Sequence, residues 1–412
     1  MKRYLILVII ILVVAGLVIG GYFLRKNSSP LSDSASSGDT QNPLPNGPSG
    51  GSSSGIPAGQ NLLGALTQKS NQVAPNLVKD YFVDPLGKVT FIQPDGQIFS
   101  SEGGSSLGEA GVEKDLKTIN STAIDGLIDA SFSSDGKMVA ARFGNPENPQ
   151  TSIFDIENKS WRPLELSIQS LAWSPKNRQI AYLAKTNQGL ALGTLDLSQK
   201  AAKPREFISL RGNDLSIKWV WPEKVLLIER ASAQVKSSLW AFDFSKKALI
   251  SVIKDRAGLE TIWNASGTLA LELSGGRLKL IDGQGILVNK FDFVTLPSKC
   301  AFSFEIRNAS TTSIATGTKK TVAQQVIKEE YLNCPIPKNS SVLTGHDLPD
   351  DYYMKDLFTE DNIYQIKISG GEITPLFIGD GIDATDLKRA GQKIYFINRF
   401  DGKLYSALIK NN

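Results

Sequence analysis

Two hydrophobic patterns divide the chain into an N-terminal segment and a body. The first is a charge-free run of 21 residues from Tyr4 to Leu24, bounded by Lys2-Arg3 and Arg25-Lys26. As an α-helix this run spans about 30 Å, which matches the hydrocarbon core of a bilayer. The second is a series of short alternating apolar and polar runs from residue 61 onward. Alternation with a period of two is typical of β-strands.

The apolar run predicts that residues 1–26 form an N-terminal membrane anchor with basic flanks, residues 4–24 being the span. A cleaved secretory signal is the alternative, but such signals have a shorter apolar core followed by small residues, whereas this run ends with Tyr22-Phe23-Leu24. Both flanks are basic, so the positive-inside bias is slight. We expect a single-pass signal-anchor in the cell membrane, with its N-terminus in the cytoplasm and the body extracytoplasmic.

Residues 27–60 are dominated by Ser, Gly, Pro, Asn and Asp and contain very few large apolar residues. This composition predicts a disordered linker, with an r.m.s. span of roughly 30–35 Å, that tethers the body to the anchor. Within it, Gly51-Ser52-Ser53-Ser54-Gly55 matches the G-x-S-x-G pattern of a nucleophile elbow. That motif requires a strand before it and a helix after it, and the linker predicts neither.

The body, residues 61–412, contains a repeat in which an aromatic residue precedes a polar turn and then an alternating strand. The copies begin at Phe132, Trp173, Trp219, Trp263 and Phe302, in steps of 41, 46, 44 and 39 residues. Steps of this size are typical of the four-stranded blades of a β-propeller. Further copies at Tyr81-Phe82 and near Leu387 bring the total to about seven. We therefore predict an all-β propeller of six to eight blades, closed by pairing between its last strands and its first.

The gap between Phe302 and Leu387 is 85 residues, so one blade must contain an insertion. We place this insertion at about 311–360 and predict a short helix within it, over residues 321–331. The six tryptophans could form a carbohydrate-stacking surface, but four of them fall within strands at equivalent positions of the repeat, which favours packing between blades. Trp219 and Trp221 are two residues apart on a predicted strand and should share one face, which makes Trp221 a candidate surface residue.

Two copies carry a family resemblance. Residues 133–140 (SSDGKMVA) and 173–182 (WSPKNRQIAY) resemble the F/W-S-P-D-G-K-x-I-A-F repeat of TolB-like propellers, a WD40-like family with PD40-type repeats. The resemblance is partial at Trp219 and Trp263 and does not cover residues 1–60 or 311–360. It implies an extracytoplasmic binding or scaffolding propeller, here a membrane-anchored member without an attached enzyme domain. It implies no catalytic residue.

Composition and motifs exclude several functions. Outside the flanks of the apolar run, basic and acidic residues balance at 41 each, so no excess positive charge is available to bind nucleic acid. The single histidine, His346, is expected to be an exposed loop residue, and no phosphate-binding loop occurs. We therefore predict no catalytic residue, no cofactor and no metal. An acidic cluster in the insertion could hold Ca²⁺, but its spacing favours a solvated loop; it comprises Asp347, Asp350, Asp351, Asp356, Glu360 and Asp361.

Cys300 and Cys334 are the two cysteines of the chain. An even number of cysteines in a protein expected outside the cytoplasm predicts a disulfide between them. The alternative is two buried thiols in a reducing compartment. A bridge would attach the insertion to its own blade.

These features predict a non-enzymatic module with a monomeric ectodomain that binds a protein or an envelope polymer on a face of the propeller. The alternative is a propeller hydrolase or lyase that uses carboxylates in the channel on an extracellular polymer. The sequence does not identify a pair of carboxylates for such chemistry.

Overall fold

The computed structural model describes residues 68–101, 116–120, 122–199, 203–212, 214–309 and 325–409, with the backbone alone described for 307–309 and 325–327. The predicted anchor, residues 1–26, and the predicted linker, residues 27–60, lie outside these ranges. Within them, no helix is both long enough and apolar enough to span a bilayer.

The described residues form seven antiparallel sheets of four strands each, which are the blades of a propeller. Blade 1 follows a first strand, β1 (Asn71–Leu77), and contains β2 (Asp80–Val83), β3 (Val89–Ile92), β4 (Ile98–Ser101) and β5 (Leu116–Thr118). Blade 2 contains β6 (Leu127–Phe132), β7 (Met138–Phe143), β8 (Gln150–Asp155) and β9 (Ser160–Leu164). Blade 3 contains β10 (Ile168–Trp173), β11 (Gln179–Thr186), β12 (Gly189–Asp196) and β13 (Arg205–Leu210).

Blade 4 contains β14 (Leu215–Trp221), β15 (Lys224–Glu229), β16 (Lys236–Asp243) and β17 (Ala248–Ala257). Blade 5 contains β18 (Glu260–Trp263), β19 (Leu269–Ser274), β20 (Arg277–Asp282) and β21 (Leu287–Lys290). Blade 6 contains β22 (Ala301–Ala309), β23 (Gln325–Pro337), β24 (Asp361–Lys367) and β25 (Ile373–Phe377). Blade 7 contains β26 (Ala384–Ala390), β27 (Lys393–Asn398), β28 (Lys403–Leu408) and, on its outer edge, β1.

The helical elements among the described residues are short. A four-residue helix, α1 (Asp350–Tyr353), and a 3-10 turn (Ser340–Leu343) lie in the loop between β23 and β24. A second 3-10 turn (Pro297–Lys299) precedes β22.

The ring is closed by its first strand. β1 pairs antiparallel with β28, Asn71 opposite Ser406 and Leu77 opposite Lys403. The predicted closure is therefore confirmed, and so is the estimate of about seven blades. Seven clusters of buried apolar residues follow the ring in the described residues, and each joins two adjacent blades. The hydrophobic core thus lies between blades, and the first strands of the blades surround a central channel.

The repeated sequence pattern has a packing explanation. Gly136 and Gly267 lie in the turns between the first and second strands of blades 2 and 5, with φ of +67° and +68°. A Cβ on Gly136 would lie 2.3 Å from the ring of Phe82, and one on Gly267 would lie 2.0 Å from the indole of Trp221. The aromatic residue that ends the first strand of one blade therefore packs on the turn of the next blade, where a side chain would collide with it.

Three expectations in the irregular part of the body are wrong. Residues 325–331, predicted as part of a helix, belong to β23, where pairing with β22 overrides the helix preference of Gln, Lys and Glu. The predicted insertion, 311–360, includes β23 and therefore contains a whole blade strand. Phe302 lies at the start of β22, whereas Phe132, Trp173 and Trp263 each end a strand, so it is not an equivalent copy.

The expectation that Trp219 and Trp221 share a face is also wrong. The pairing of β14 with β15 shifts register between them, which interrupts the alternation of side chains. Trp219 packs with Phe244 at the interface of blades 3 and 4, with ring centres 5.4 Å apart. Trp221 packs with Trp263 at the interface of blades 4 and 5, at 5.2 Å.

Candidate binding site at one mouth of the channel

The longest described connection between strands lies at one end of the channel. It comprises residues 338–360, which join the second strand of blade 6 to the third, and we call it the cap loop. Its acidic residues hold it against blade 4. Asp350 Oδ2 accepts hydrogen bonds from the amide of Ala233 at 2.6 Å and from Ser232 Oγ at 3.2 Å, and Gln234 Nε2 donates to Asp347 Oδ2 at 2.6 Å. The cap loop therefore reaches from blade 6 to blade 4 on this face.

Blade 7 holds the other side of the cap loop through Arg399. Its guanidinium donates to the carbonyl oxygens of Tyr352 and Leu357, at 2.6 and 3.1 Å, and lies 3.5 Å from the centre of the Tyr352 ring. Arg399 also pairs with the buried Asp383 at 2.7 Å. Since a guanidinium presents five donors in a fixed plane, one side chain can orient several groups.

A buried ionic cluster lies beneath this contact. Lys299 Nζ is 2.6 Å from Asp361 Oδ2 and 2.8 Å from Asp383 Oδ1, and it donates to Thr359 Oγ1 at 2.6 Å. Lys299 and both aspartates are fully buried. Burial raises the pKa of Asp361, an effect that the charge of Lys299 opposes. Removing one partner from such a cluster leaves an unpaired buried charge. The cluster therefore fixes the base of the cap loop to blades 6 and 7.

Beside the cap loop, the channel opens into a cavity of 480 Å³, which we call the cap-side pocket. The first strands of blades 2 to 5 and the ring of Tyr353 supply most of its wall. Most of the lining residues are polar or charged, among them Asp129, Arg142, Gln169, Ser170, Ser216, Lys218, Glu260 and Thr261.

Several charged groups of this wall are already paired. Arg142 forms a bidentate salt bridge with Asp129 and donates a hydrogen bond to the carbonyl oxygen of Gln169. Glu229 Oε2 accepts a hydrogen bond from the amide of Ser238 at 2.7 Å. These contacts hold the strands of blades 2, 3 and 4 in place and leave little capacity for a ligand.

Glu260 and Lys218 are different. Glu260 Oε1 accepts a hydrogen bond from the amide of Ser298 at 2.6 Å, whereas its Oε2 has no hydrogen bond of ordinary length within the described residues. Lys218 Nζ donates to the carbonyl oxygen of Thr261 at 3.0 Å. Burial raises the pKa of Glu260, and desolvation by the surrounding channel wall lowers that of Lys218, although the Lys218 residue is exposed; in each case the opposite charge of the other residue partly offsets the effect.

The geometry therefore presents two opposite charges to one cavity without a direct ion pair between them. Gln169 Nε2 is, after Glu260 Oε2, the second buried atom of this wall that has no hydrogen-bond partner in the described part of the chain. The hydroxyl of Tyr353 faces Glu260. Burial, followed by this negative charge, raises the pKa of the phenol well above its usual value. Because unmet buried polar atoms are costly, a wall with several of them is suited to a polar ligand.

Exposed apolar side chains extend from Tyr353, at the edge of the pocket, along the cap loop to blade 7. We call this group the cap patch; it comprises Tyr353, Met354, Phe358 and Phe400, which are 53%, 62%, 39% and 49% exposed. The rings of Phe358 and Phe400 are stacked with centres 5.7 Å apart, and Arg399 lies 4.7 Å from the centre of Phe358. The cap patch is thus continuous with the residues that hold the cap loop.

The opposite mouth of the channel has a cavity of 590 Å³ between blades 5, 6 and 7. Its charged groups form direct ion pairs, although Nη1 of Arg389 has no hydrogen bond within the described residues. Arg389 is 3.3 Å from Glu305, and Lys328 is 3.3 Å from Glu330 and 4.6 Å from the ring centre of Phe304. We therefore place the candidate site at the cap-side pocket.

The structure joins the sulfurs of Cys300 and Cys334, whose Cα atoms are 4.3 Å apart. Cys334 lies in β23 and not in an insertion, so the bridge links the start of the first strand of blade 6 to the second strand. Whether this bridge forms in the cell stays a prediction.

His346 lies in the cap loop, as expected, but it is only about one-third exposed. Its Nδ1 is 2.7 Å from Asp351 Oδ2, and this hydrogen bond lowers the pKa of Asp351. His346 also lines a cavity of 410 Å³ on the outer side of the cap loop, next to Ser340 and Thr344.

The residues of the predicted acidic cluster are dispersed among different partners. Asp347 binds Gln234, Asp350 binds the amide of Ala233, Asp351 binds His346 and Asp361 binds Lys299. Within the described ranges, no three His, Cys, Asp or Glu side chains are grouped so as to hold a metal ion. Asp356 and Glu360 do not join the others in one site.

Sequence reasoning did not identify Lys218, Glu260 or Tyr353. Lys218 and Glu260 lie on β14 and β18, first strands whose aromatic residues the sequence repeat had identified. A charged residue in such an inner strand is the sequence feature that could have indicated a site in the channel. Tyr353 reaches the pocket through the path of the cap loop, for which no local pattern exists.

No family model matches this sequence, and no curated protein sequence is significantly similar to it. Among solved structures, the chain is similar to a chain from the crystal structure of a mitotic checkpoint complex, with 11% sequence identity and a TM-score of 0.48. The match covers 84% of this chain and 96% of the checkpoint-complex chain. The tricorn protease shares 12% identity at a TM-score of 0.46, over 83% of this chain and 34% of the protease.

A TolB protein from Acinetobacter baumannii shares 11% identity at a TM-score of 0.33, over 81% of this chain and 63% of that one. These neighbours include enzymes and non-enzymes and do not decide between them. The propeller architecture rests on the strand pairing of this chain, and membership of the TolB-like family stays a prediction.

Proposed function

We propose that this protein is a membrane-tethered, extracytoplasmic propeller that binds a protein or an envelope component at the cap-side mouth of its channel, without catalysis. The observation that carries the proposal is the combination found there: a polar cavity with uncompensated hydrogen-bonding atoms, next to the exposed cap patch. Each half of that combination is typical of a binding surface.

The cap patch supplies the apolar half. Aromatic residues and methionine are enriched at protein interfaces, and contiguous exposed apolar surface on a monomer often marks an interaction site. The cap loop is held by Arg399 on one side and by Asp350 on the other. A partner would therefore meet a patch whose position is already fixed, which reduces the entropic cost of binding.

The tether supplies the location. A charge-free run of 21 residues followed by a Ser/Gly/Pro-rich linker would hold the propeller near a membrane and let it reorient. The two cysteines, close enough to be joined, favour an oxidising compartment. Together they support an extracytoplasmic ectodomain that meets envelope components.

The proposal can be tested by photo-crosslinking in the native host. A photoreactive amino acid replaces Met354 in the cap patch, and in a control protein it replaces Leu86, which is 93% exposed in the turn between the first two strands of blade 1. We expect a discrete adduct from position 354 that is lost when Phe358 and Phe400 are both changed to serine. An adduct from position 86 alone, or none from position 354, would contradict the proposal.

A hydrolase or lyase acting on an extracellular polymer is the second candidate, and Glu260 is the observation that favours it. A buried carboxyl with a raised pKa is suited to act as a general acid. Turnover of a polysaccharide that is lost in Glu260→Gln, but not in Glu157→Gln, would establish this candidate in place of simple binding.

A further inference from the structure

The inner wall of the cap-side pocket contains an unusual set of hydrogen-bonding groups. Three neighbouring first strands, β10, β14 and β18, present Gln169, Lys218 and Glu260 to one cavity. Glu260 is 92% buried, with its Oε2 unpartnered in the described residues, and Gln169 Nε2 is unpartnered as well. An acceptor and a donor are therefore buried in the wall of the same cavity without a direct hydrogen bond in the described residues, although the Glu260 carboxylate also lies near the hydroxyls of Ser298 and Tyr353.

The rest of this wall adds more capacity. Lys218 Nζ has three donors, and the bond to the carbonyl oxygen of Thr261 uses one of them. Ser170 Oγ accepts from the amide of Ile217 at 3.1 Å, which leaves its hydroxyl hydrogen for another acceptor. The wall thus offers three side-chain donors beside the carboxylate acceptor of Glu260, and its negative and positive groups form no direct ion pair.

This combination of donors, an acceptor and two opposite charges discriminates between classes of ligand. A simple anion would be attracted by Lys218 and repelled by Glu260. A simple cation would be attracted by Glu260 and repelled by Lys218. A neutral hydroxyl group avoids the conflict because it can accept from Lys218 or Gln169 and donate to Glu260. A ligand with several neighbouring hydroxyls satisfies more of the wall than a ligand with one.

Tyr353 adds an aromatic surface to this arrangement. Tyr353 is 53% exposed at the edge of the cavity, and its phenol lies close enough to Glu260 for that charge, after desolvation, to raise the phenol pKa. An aromatic side chain with a polar tip can contact an amphipathic ligand on both its apolar and polar sides. Sugar rings have this character, since their C–H faces are apolar and their edges carry hydroxyls. The cavity of 480 Å³ lies within the range of about 300–1,000 Å³ for small-ligand pockets.

We infer that the cap-side pocket binds a saccharide: Glu260, Lys218 and Gln169 contact its hydroxyls and Tyr353 packs against a sugar ring. The inference rests on the proposed function and deepens it, because it names the chemical class of the envelope component. It assigns to this site a neutral, polyhydroxylated segment of a polymer or glycan.

The test is saturation-transfer NMR on the full-length chain, purified in a detergent without a sugar headgroup. The probes are chitotetraose, cellotetraose and maltotetraose, with glycine, acetate and methylammonium as charged competitors. We expect at least one tetrasaccharide to show saturable transfer to its ring C–H protons. None of the charged competitors should displace it.

Two variants locate the contact. Glu260→Gln and Tyr353→Ala should each weaken the dissociation constant at least fivefold, because the first removes a charge-assisted hydrogen bond and the second the aromatic surface. Glu157→Gln is the matched control. That carboxylate is 52% exposed and paired with Lys137 at 2.6 Å, so affinity should change less than twofold. Thermal unfolding of each variant verifies that it is folded.

The inference is overturned if no tetrasaccharide binds the folded protein, if Glu260→Gln and Tyr353→Ala bind as the parent does, or if glycine or acetate competes. If saccharides fail but position 354 still gives its photo-adduct, this inference alone falls. If both fail, the proposed function falls with it.

Discussion

Replacing Lys299 by methionine tests whether the buried ionic cluster supports the cap loop. In the parent, Lys299 neutralises Asp361 and Asp383 at 2.6 and 2.8 Å. After the substitution Asp383 keeps Arg399, at 2.7 Å, whereas Asp361 keeps only the amide of Ala384, at 3.0 Å, as a partner for its Oδ2. Since Asp361 Oδ1 already has no partner in the described residues, its carboxylate becomes an uncompensated buried charge.

Breaking a buried pair in this way costs about 3–5 kcal/mol of the free energy of unfolding. Lys338→Met is the matched control. Lys338 pairs with Asp380 at 2.5 Å, but its side chain is 26% exposed and that of Asp380 is 80% exposed. Exposed pairs contribute about 0–1 kcal/mol, so the control should remain close to the parent.

The effect should also depend on pH. The pKa of Asp361 is already raised in the folded protein, so the native state binds a proton more readily than the unfolded chain. The contribution of Asp361 to the free energy of unfolding therefore falls as the pH rises above 3.8, the ordinary pKa of aspartate. Loss of Lys299 removes the group that opposes this rise. The stability deficit of Lys299→Met should therefore be largest at neutral pH and shrink as Asp361 becomes protonated.

Urea unfolding followed by tryptophan fluorescence, at neutral and acidic pH, measures both effects. A deficit for Lys299→Met no larger than that of Lys338→Met at neutral pH would refute the reasoning. So would a deficit that grows on acidification.

Four further predictions concern the pocket, the ring, the disulfide and the anchor. Glu260→Gln should raise the free energy of unfolding at neutral pH by about 1–2 kcal/mol, because the amide keeps the acceptor for Ser298 and carries no charge to desolvate. This gain should vanish below the ordinary glutamate pKa of 4.5, and a gain that persists there would count against it. A chain without residues 1–77 should lose its cooperative unfolding transition, since β28 becomes an unpaired edge, while a chain without residues 1–60 should keep it. Thiol titration of the denatured, unreduced protein from its host should find no free thiol. Reduction should lower the free energy of unfolding by roughly 3–4 kcal/mol in the chain-entropy model, and two titrating thiols would disprove the bridge. Full-length protein should resist carbonate extraction and start before residue 16, so a mature N-terminus within 16–30 would show cleavage instead.

The propeller could be predicted from the sequence because its signal is local. Phe132 and Trp173 are each followed within a few residues by a polar turn and a strand, and the same units recur at nearly constant spacing. The pattern reflects an aromatic side chain that packs on the turn of the next blade, as Phe82 does on Gly136. Where that contact is absent, as at Phe302 in blade 6, the prediction of strands and boundaries failed.

The site could not be predicted because its parts come together only through the ring. Lys299, Asp361, Asp383 and Arg399 are distant in sequence, and nothing near any one of them indicates its partners. Glu260 begins a strand in blade 5 and meets Tyr353 from the cap loop of blade 6. The path of that loop depends on contacts such as Asp350 with Ala233, 117 residues away.

The most direct measurement is an experimental structure of the full-length protein with the tetrasaccharide that gives the strongest saturation transfer. We predict ligand density in the cap-side pocket, with hydroxyls within hydrogen-bond distance of the Glu260 carboxylate and Lys218 Nζ and a sugar ring against Tyr353. Density at the opposite mouth beside Arg389, or on the outer edges of the blades with the cap-side pocket filled only by water, would contradict it.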